Sequence, residues 1–394
     1  MGKVNFILMI KYCLCKLYFK YQCFFNALVD LSFLLLKKQT QNTADLLLIK
    51  VDAIGDFVLW QDSLRAYREK YFEKKVVLIC NNLVREIAIL DPFFSEVWGI
   101  DRKHFLFSRK YRYFFVKQLR SITFREVISA TFSREYYYSD RLVKLALGLY
   151  KIGYNGDFEN ITKDQKNKSD IYFQKLVNNS LYRSELFINA HFVRQICDPG
   201  FQPQLPTLPY CSFDTTFLRE RYCVFSISAS YSARAWSIDN YAEIIDTIPL
   251  EYEIVLLGYG KDDCNRGDLL LHSVRTSDRI TNLINKTTIV EMVGIISKAS
   301  LVVGNDSSAV HIAAATRVPS ICIAPGAHYN RFVPYPKEVS ECFYHPRVVV
   351  CQMFCFGCGY HCCFPIVNQL QCIKNVTTSM VLKELNKLLD EIKK

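Results

Sequence analysis

From residue 45 onward the chain alternates short apolar runs with segments whose apolar residues recur every three or four positions. Apolar runs at 46–51, 76–80, 97–100 and 126–130 predict buried strands, and the periodic segments 57–71 and 83–90 predict helices between them. The rhythm loses its period between 153 and 180, which predicts an insertion or long loop, and Pro199, Pro203, Pro206 and Pro209 then mark a linker. A second alternating series follows. Strands are expected at 224–228, 254–258, 301–304 and 320–324, with helices at 241–248, 288–299 and 380–392. Thr288 with Glu291 three residues on is a capping-box signature. Repeated strand–helix alternation predicts an α/β chain with two Rossmann-like units, each a parallel sheet covered by helices.

The first 43 residues follow a different pattern. Apolar and aromatic stretches at 4–10 and 24–36 are broken by Lys11, Lys16, Lys20 and Asp30 and closed by Lys37 and Lys38. No stretch reaches the roughly eighteen uninterrupted apolar residues expected of a spanning helix. Interleaved lysines and aromatics predict an amphipathic helix lying in a membrane interface. A single poor span and a helix packed on the protein's own surface are the alternatives.

Composition narrows the class. With 394 residues, half of them hydrophobic and 22% charged, the chain has material for two globular domains. Its formal charge of +11 points to an anionic partner: nucleic acid, a membrane surface or a phosphorylated substrate. Sixteen cysteines without a cleavable signal pattern point to a reducing compartment. The expected organisation is an extension over 1–43, an N-terminal unit over 44–210, a C-terminal unit over 211–376 and a terminal helix over 377–394.

Three segments fall at strand ends, where ligands bind in doubly wound sheets. Residues 301–313 read as a strand, a polar turn and a helix, which aims helix N-terminal amides at whatever lies beyond the strand. A phosphate or diphosphate suits that place. Asp306, Ser307, Ser308 and His311 line it, although an ordinary turn with Ser307 as N-cap reads the same way. Asp56 follows the first strand at a helix start, either as an acidic residue favouring the helix dipole or as a general base. Ser230 and Arg234 follow the first strand of the second unit. Arg234 is there either a surface charge or a guanidinium able to clamp a diphosphate.

The turn at 52–56, the segment 228–236 and the turn at 304–311 together resemble glycosyltransferase family 9, the family of the lipopolysaccharide heptosyltransferases, with similarity in order over roughly 45–335. The resemblance implies a GT-B fold, with two Rossmann-like domains facing across a cleft, and inverting, metal-independent sugar transfer. The acceptor would bind the N-terminal domain and an ADP-heptose-like nucleotide-sugar the C-terminal one. It carries the catalytic base onto Asp56 and the basic residue at the leaving diphosphate onto Arg234. It places Ser230, Asp306, Ser307, Ser308 and His311 around the donor, with Asp262 or Asp263 near the ribose. The family usually has Lys where Arg234 stands and Gly where Ser308 stands, which bears on donor identity.

Under this reading the basic, aromatic stretch 102–125, with Arg109, Arg112 and Arg120, is a candidate contact for an anionic lipid-linked glycan. The alternative is a solvated helix face with its aromatics turned inward. A peripheral protein on the cytoplasmic face of the inner membrane is expected. Within the Cys-rich loop 351–372, Cys351, Cys355, Cys358 and Cys362 are a candidate structural zinc set, or else free or buried thiols. No cofactor is required by the chemistry. Two other functions stand beside sugar transfer: a catalytically silent nucleotide- or glycan-binding protein, and a zinc-stabilised nucleic-acid binder. The second has no base-reading motif and leaves the two-sheet pattern unexplained, so no nucleic-acid partner is expected.

Overall fold

The computed structural model describes residues 2–35, 42–179, 181–211 and 213–393, with side chains from Cys15 onward except that of Lys16. In chain order the elements begin with α1 (Gly2–Leu35), β1 (Thr43–Lys50), α2 (Ile54–Trp60), α3 (Leu64–Lys70), β2 (Val76–Asn81), α4 (Arg85–Ile89) and β3 (Glu96–Ile100). Next come α5 (Arg102–Phe107), α6 (Arg109–Leu119), β4 (Thr123–Ser129), α7 (Ser139–Leu145), β5 (Leu147–Tyr154), α8 (Lys163–Asp170), β6 (Lys175–Val177) and α9 (Glu185–Ile196). The rest comprises β7 (Tyr222–Ser226), α10 (Ile238–Ile245), β8 (Glu253–Leu257), α11 (Lys261–Ser273), β9 (Ile280–Asn282), α12 (Ile289–Ser297) and β10 (Leu301–Asn305). It ends with α13 (Ser308–Ala315), β11 (Ser320–Ile323), β12 (Arg347–Val349), α14 (Gln371–Lys374) and α15 (Thr378–Ile392).

The strands form two six-stranded sheets, β3-β2-β1-β4-β5-β6 and β12-β11-β10-β7-β8-β9. Every named strand pair is parallel. Both have the strand order of a doubly wound sheet, reversing beside its first strand, as the alternating pattern led one to expect. Leu46–Ile49 in β1 and Leu301–Val303 in β10 are fully buried. Such continuous apolar runs belong to strands covered on both faces. Gly304 in β10 lets that strand lie close to β7, since a Cβ there would meet the Ser226 carbonyl oxygen at 3.0 Å.

The chain divides into two compact units. The first comprises Met1–Asp52, Tyr71–Arg85 and Pro92–Asn179; the second comprises Ala53–Lys70, Glu86–Asp91 and Ser180–Lys394. A single boundary at 210 was expected, yet α2 and α3 belong to the second unit. There α2 packs on α13 and α9, and Leu59 joins Leu186, Val310 and Ala314 in one apolar cluster.

Two sequence expectations change. The aperiodic stretch 153–180 contains α8 and β6 rather than a bare loop. Helix α8 has no apolar face because polar groups hold it: Thr162 and Gln165 form a capping box, and Lys166 and Asp170 form an ion pair that Arg134 extends. The expected single helix over 57–71 is divided by a 3-10 turn at Gln61–Ser63.

At the N-terminus, α1 lies against α5 and α6, so the packed alternative describes one of its faces. No helix among the described residues is long and apolar enough to cross a membrane. Lys37 and Lys38, with the side chains of Lys11 and Lys16, lie outside the described residues.

Candidate active site

The second unit gathers polar side chains where β7 and β10 end. Asn305 makes this possible. Its amide nitrogen donates to the carbonyls of Ile227 and Ser228, both at 3.0 Å, while its oxygen accepts from the Trp236 backbone N–H at 2.9 Å. The loop after β7 is thereby tied to the end of β10, and the short turn Ser232–Arg234 lies within it. From that turn Arg234 donates to the Ser230 hydroxyl at 3.0 Å, and to the Asp306 carboxylate and carbonyl at 3.0 and 3.1 Å. Its guanidinium carbon stands 5.1 Å from the ring centre of Tyr360. The structure thus brings Ser230, Arg234 and Asp306 together.

Helix α13 opens at this turn. Ser307 occupies its N-cap position with extended backbone, but its hydroxyl makes no capping bond. Three buried polar atoms around Asp306, namely Arg234 Nε, Ser307 Oγ and the Tyr360 hydroxyl, have no hydrogen-bond partner among the described residues. Buried donors in a folded protein are nearly always paired, so a group of unpaired ones is an arrangement suited to a ligand. With the free amides of the first turn of α13, they offer several donors and positive charge to an anion. Ser308 is the first residue of α13 and is half-buried. Burial pushes the Tyr360 phenol up, opposed by the neighbouring Arg234. Sequence reading passed over Tyr360, which reaches the site from the Cys-rich loop.

His311 is placed differently from the half-buried turn residues. It is 3% exposed, its Nδ1 lies 2.9 Å from the Tyr335 hydroxyl, and the two rings stack. Burial lowers its pKa to about 4, so the imidazole is neutral. Its other edge faces α2, where a Cβ on Gly55 would meet His311 Cδ2 at 3.1 Å. Gly55 therefore allows close approach of α2 to α13. Asp56, the acidic residue in the first turn of α2, is half-buried next along the chain. Asp263 is spent within the fold: its carboxylate accepts from the Tyr259 N–H at 2.9 Å and from the Ser228 hydroxyl. Asp262 beside it is exposed.

In the first unit a polar group lies at the ends of β1 and β4. Buried Lys50 pairs with Asp52 at 2.6 Å, and Thr131 donates to Asp52 at 2.9 Å. Nearby Glu135 pairs with Arg102, while burial raises its pKa to about 7. Sequence reading missed Glu135 because nothing local marks a carboxylate as buried. The three arginines expected at an acceptor differ in burial. Arg112 is 1% exposed and makes a two-bond ion pair with Asp30 at 2.7 and 2.8 Å. Its guanidinium is consumed inside the fold, which corrects its expected place at the surface. Arg120 donates to the Leu145 carbonyl at 3.2 Å. Only Arg109 of the three is exposed.

The candidate zinc set is not assembled. Among the described residues no group of three or more His, Cys, Asp and Glu is placed to hold a metal ion, and Cys351, Cys355, Cys358 and Cys362 are free thiols. Cys355 interacts with Cys363 and, less strongly, with Cys358, while Cys351 and Cys362 pack against the apolar core. Backbone bonds shape the loop, including Gly357 N–H to Gly326 at 2.8 Å and Gly359 N–H to Ala327 at 3.1 Å. These thiols do not fit a four-thiolate centre.

The sequence profile of Glycosyltransferase family 9 (heptosyltransferase) matches residues 117–347, which include Arg234 and Asp306 but not Asp56. Lipooligosaccharide heptosyltransferase 2 of Campylobacter jejuni is 24% identical over 160 residues, covering 40% of this chain and 48% of that protein. The chain thus spans about half the length of that relative. Lipopolysaccharide heptosyltransferase 3 of Escherichia coli is 24% identical over 296 residues, 73% of this chain and 85% of that protein. The solved E. coli heptosyltransferase WaaC with ADP-2-deoxy-2-fluoro heptose shares the fold. Its TM-score is 0.64 at 16% identity, over 87% of this chain and 99% of that one. A profile match over more than half of the sequence, on a chain with this paired-sheet GT-B-like fold, shows that the protein belongs to glycosyltransferase family 9, the heptosyltransferase family.

Proposed function

We propose that the protein is an inverting glycosyltransferase that moves heptose or a related sugar from an ADP-heptose-like donor to a lipopolysaccharide core or other lipid-linked glycan. In this reading Asp56 takes the proton of the acceptor hydroxyl as its oxygen bonds to the anomeric carbon. The bond from that carbon to the diphosphate breaks on the opposite face, and its electron pair leaves with the diphosphate. Arg234 and the first-turn amides of α13 stabilise the charge that builds there. Asp306, Ser307 and Ser308 hold the donor from the same turn, with Ser230 fixing Arg234. The chemistry assigns no role to a metal or cofactor, and it takes place at the cytoplasmic face of the inner membrane.

One observation carries the reading. The unpartnered Arg234, Ser307 and Tyr360 atoms converge around Asp306; Arg234, Asp306 and Ser307 lie inside the stretch that matches the family profile, and Tyr360 lies just beyond it. The donor assignment is supported by the fold likeness to WaaC, whose solved complex contains an ADP-heptose analogue. The acceptor assignment is supported by the names of the Campylobacter and E. coli relatives.

The test measures donor binding and transfer separately in wild type and Asp56→Asn. Removal of a general base is expected to lower transfer by about 10²–10⁴-fold, with donor-induced stabilisation retained. Undiminished transfer by Asp56→Asn overturns the base assignment. Donor binding with no turnover in wild type instead supports a catalytically silent protein. Transfer is expected to persist in excess chelator; loss restored only by a divalent cation overturns the metal-independent chemistry.

A further inference from the structure

Helix α1 is packed with its polar side inward. Gln22, Asn26 and Asp30, spaced four residues apart, are its buried polar residues, at 6%, 3% and 1% exposure. Asn26 donates to the Leu106 carbonyl at 2.8 Å, and Asp30 takes the two-bond pair from Arg112 with Arg141 at 3.4 Å. Its opposite side carries Leu17, Tyr21, Phe24, Leu28, Leu31 and Leu35, all exposed and reaching 60% at Phe24 and 73% at Leu35. At 3.6 residues per turn these six fall within about 40° of one line along the helix, opposite the buried polar row. A surface helix in a soluble protein has the reverse arrangement.

The neighbouring helices extend this face. Phe107 of α5 stacks on Tyr18 at 6.1 Å, and Arg109 of α6 lies 4.5 Å above the Phe25 ring. Exposed Phe114 adds apolar surface, while Lys20, Arg109, Lys110 and Lys117 are exposed cations. Asp30 is the sole carboxylate in α1, and α5 and α6 contain none. Asp101, at the start of α5, is engaged with His104.

We propose that this face docks on an anionic lipid bilayer, with α1 lying parallel to the surface and its outer stripe inserted among the acyl chains of one leaflet. Cations flanking an apolar stripe match lipid head groups above hydrocarbon. The regular spacing of the stripe would also suit a paired helix from a second copy, but two such faces would bring cations against cations. The Asp30–Arg112 pair has a defined part: it fixes the rotation of α1 so that the apolar side faces outward. This inference deepens the location in the proposed function without depending on its transfer chemistry.

The test is co-sedimentation of the full chain with phosphatidylethanolamine–phosphatidylglycerol vesicles and, separately, phosphatidylcholine vesicles. Binding is expected to favour the anionic vesicles, to weaken as salt rises and to fall by at least about tenfold in the double variant Phe24→Glu/Leu28→Glu. Both positions are exposed, so the thermal midpoint of the variant should match wild type. A Leu28→Trp reporter should shift its emission to the blue on anionic vesicles. Absent wild-type binding, or undiminished binding by the double variant, overturns the proposal. So does a wild-type dimer that ignores vesicles and becomes monomeric in the double variant, which assigns the stripe to a second copy. No donor or acceptor is present, so failure here leaves the transfer assay independent.

Discussion

Arg234 joins Ser230, Asp306 and the face of Tyr360, and each contact uses a different part of its planar fork. Lysine would keep the charge but not these simultaneous contacts. Steady-state kinetics under the proposed function should therefore show about 10²–10³-fold lower kcat for Arg234→Ala, with Arg234→Lys retaining more activity. Equal activity of all three proteins would remove Arg234 from the chemistry. His311 concerns stability. Its folded pKa of about 4 lies below the ordinary histidine value of 6.5, so between these pH values the unfolded chain binds the proton and the native one does not. The associated stability is present above 6.5 and is lost as pH falls through 4, amounting to about 3 kcal/mol. Chemical denaturation across that window should show a shallower acid loss in His311→Gln than in wild type. The site's opening turn was readable because strand, polar turn and helix are local patterns. Tyr360 and Tyr335 were not, because each comes from a loop placed by tertiary contacts.

Elements whose signals are local were legible in the same way. The Thr288–Glu291 capping box forms, with the Thr288 N–H to Glu291 at 2.7 Å and the Glu291 N–H to Thr288 at 3.3 Å. Thr288→Ala is expected to cost about 1 kcal/mol in an unfolding titration. Helix α8 was illegible because its sequence, KDQKNKSD, lacks an apolar period and is held by a cap and ion pairs. Helix α1 shows the reverse case: apolar residues were evident, but the sequence could not tell which side faces inward. That choice depends on Arg112, 82 residues beyond Asp30. Asp30→Asn leaves Arg112 buried without its counter-charge and is expected to destabilise the fold by about 3–5 kcal/mol. A thermal midpoint equal to wild type would show that the pair does not hold α1.

At the scale of the molecule, alternating strands and helices disclosed both sheets, since parallel strands buried on both faces appear as apolar runs. The grouping of the chain was harder to read. A linker rich in proline at 199–209 suggested a division there, whereas the compact units group α2, α3 and α9 with the second sheet. The chain passes between units at 52–53, 70–71, 85–86, 91–92 and 179–180. Consequently no single cut releases either unit whole. A fragment beginning at 211 would lack Leu59, Leu186 and Leu205, opening one side of the apolar cluster that holds Val310 and Ala314. Such a fragment should aggregate or melt well below the intact protein, while co-expression with residues 1–210 should restore solubility. Modular exchange in this chain therefore requires grafting α2, α3 and α9 along with the second sheet: inheritance of a working half is discontinuous in sequence.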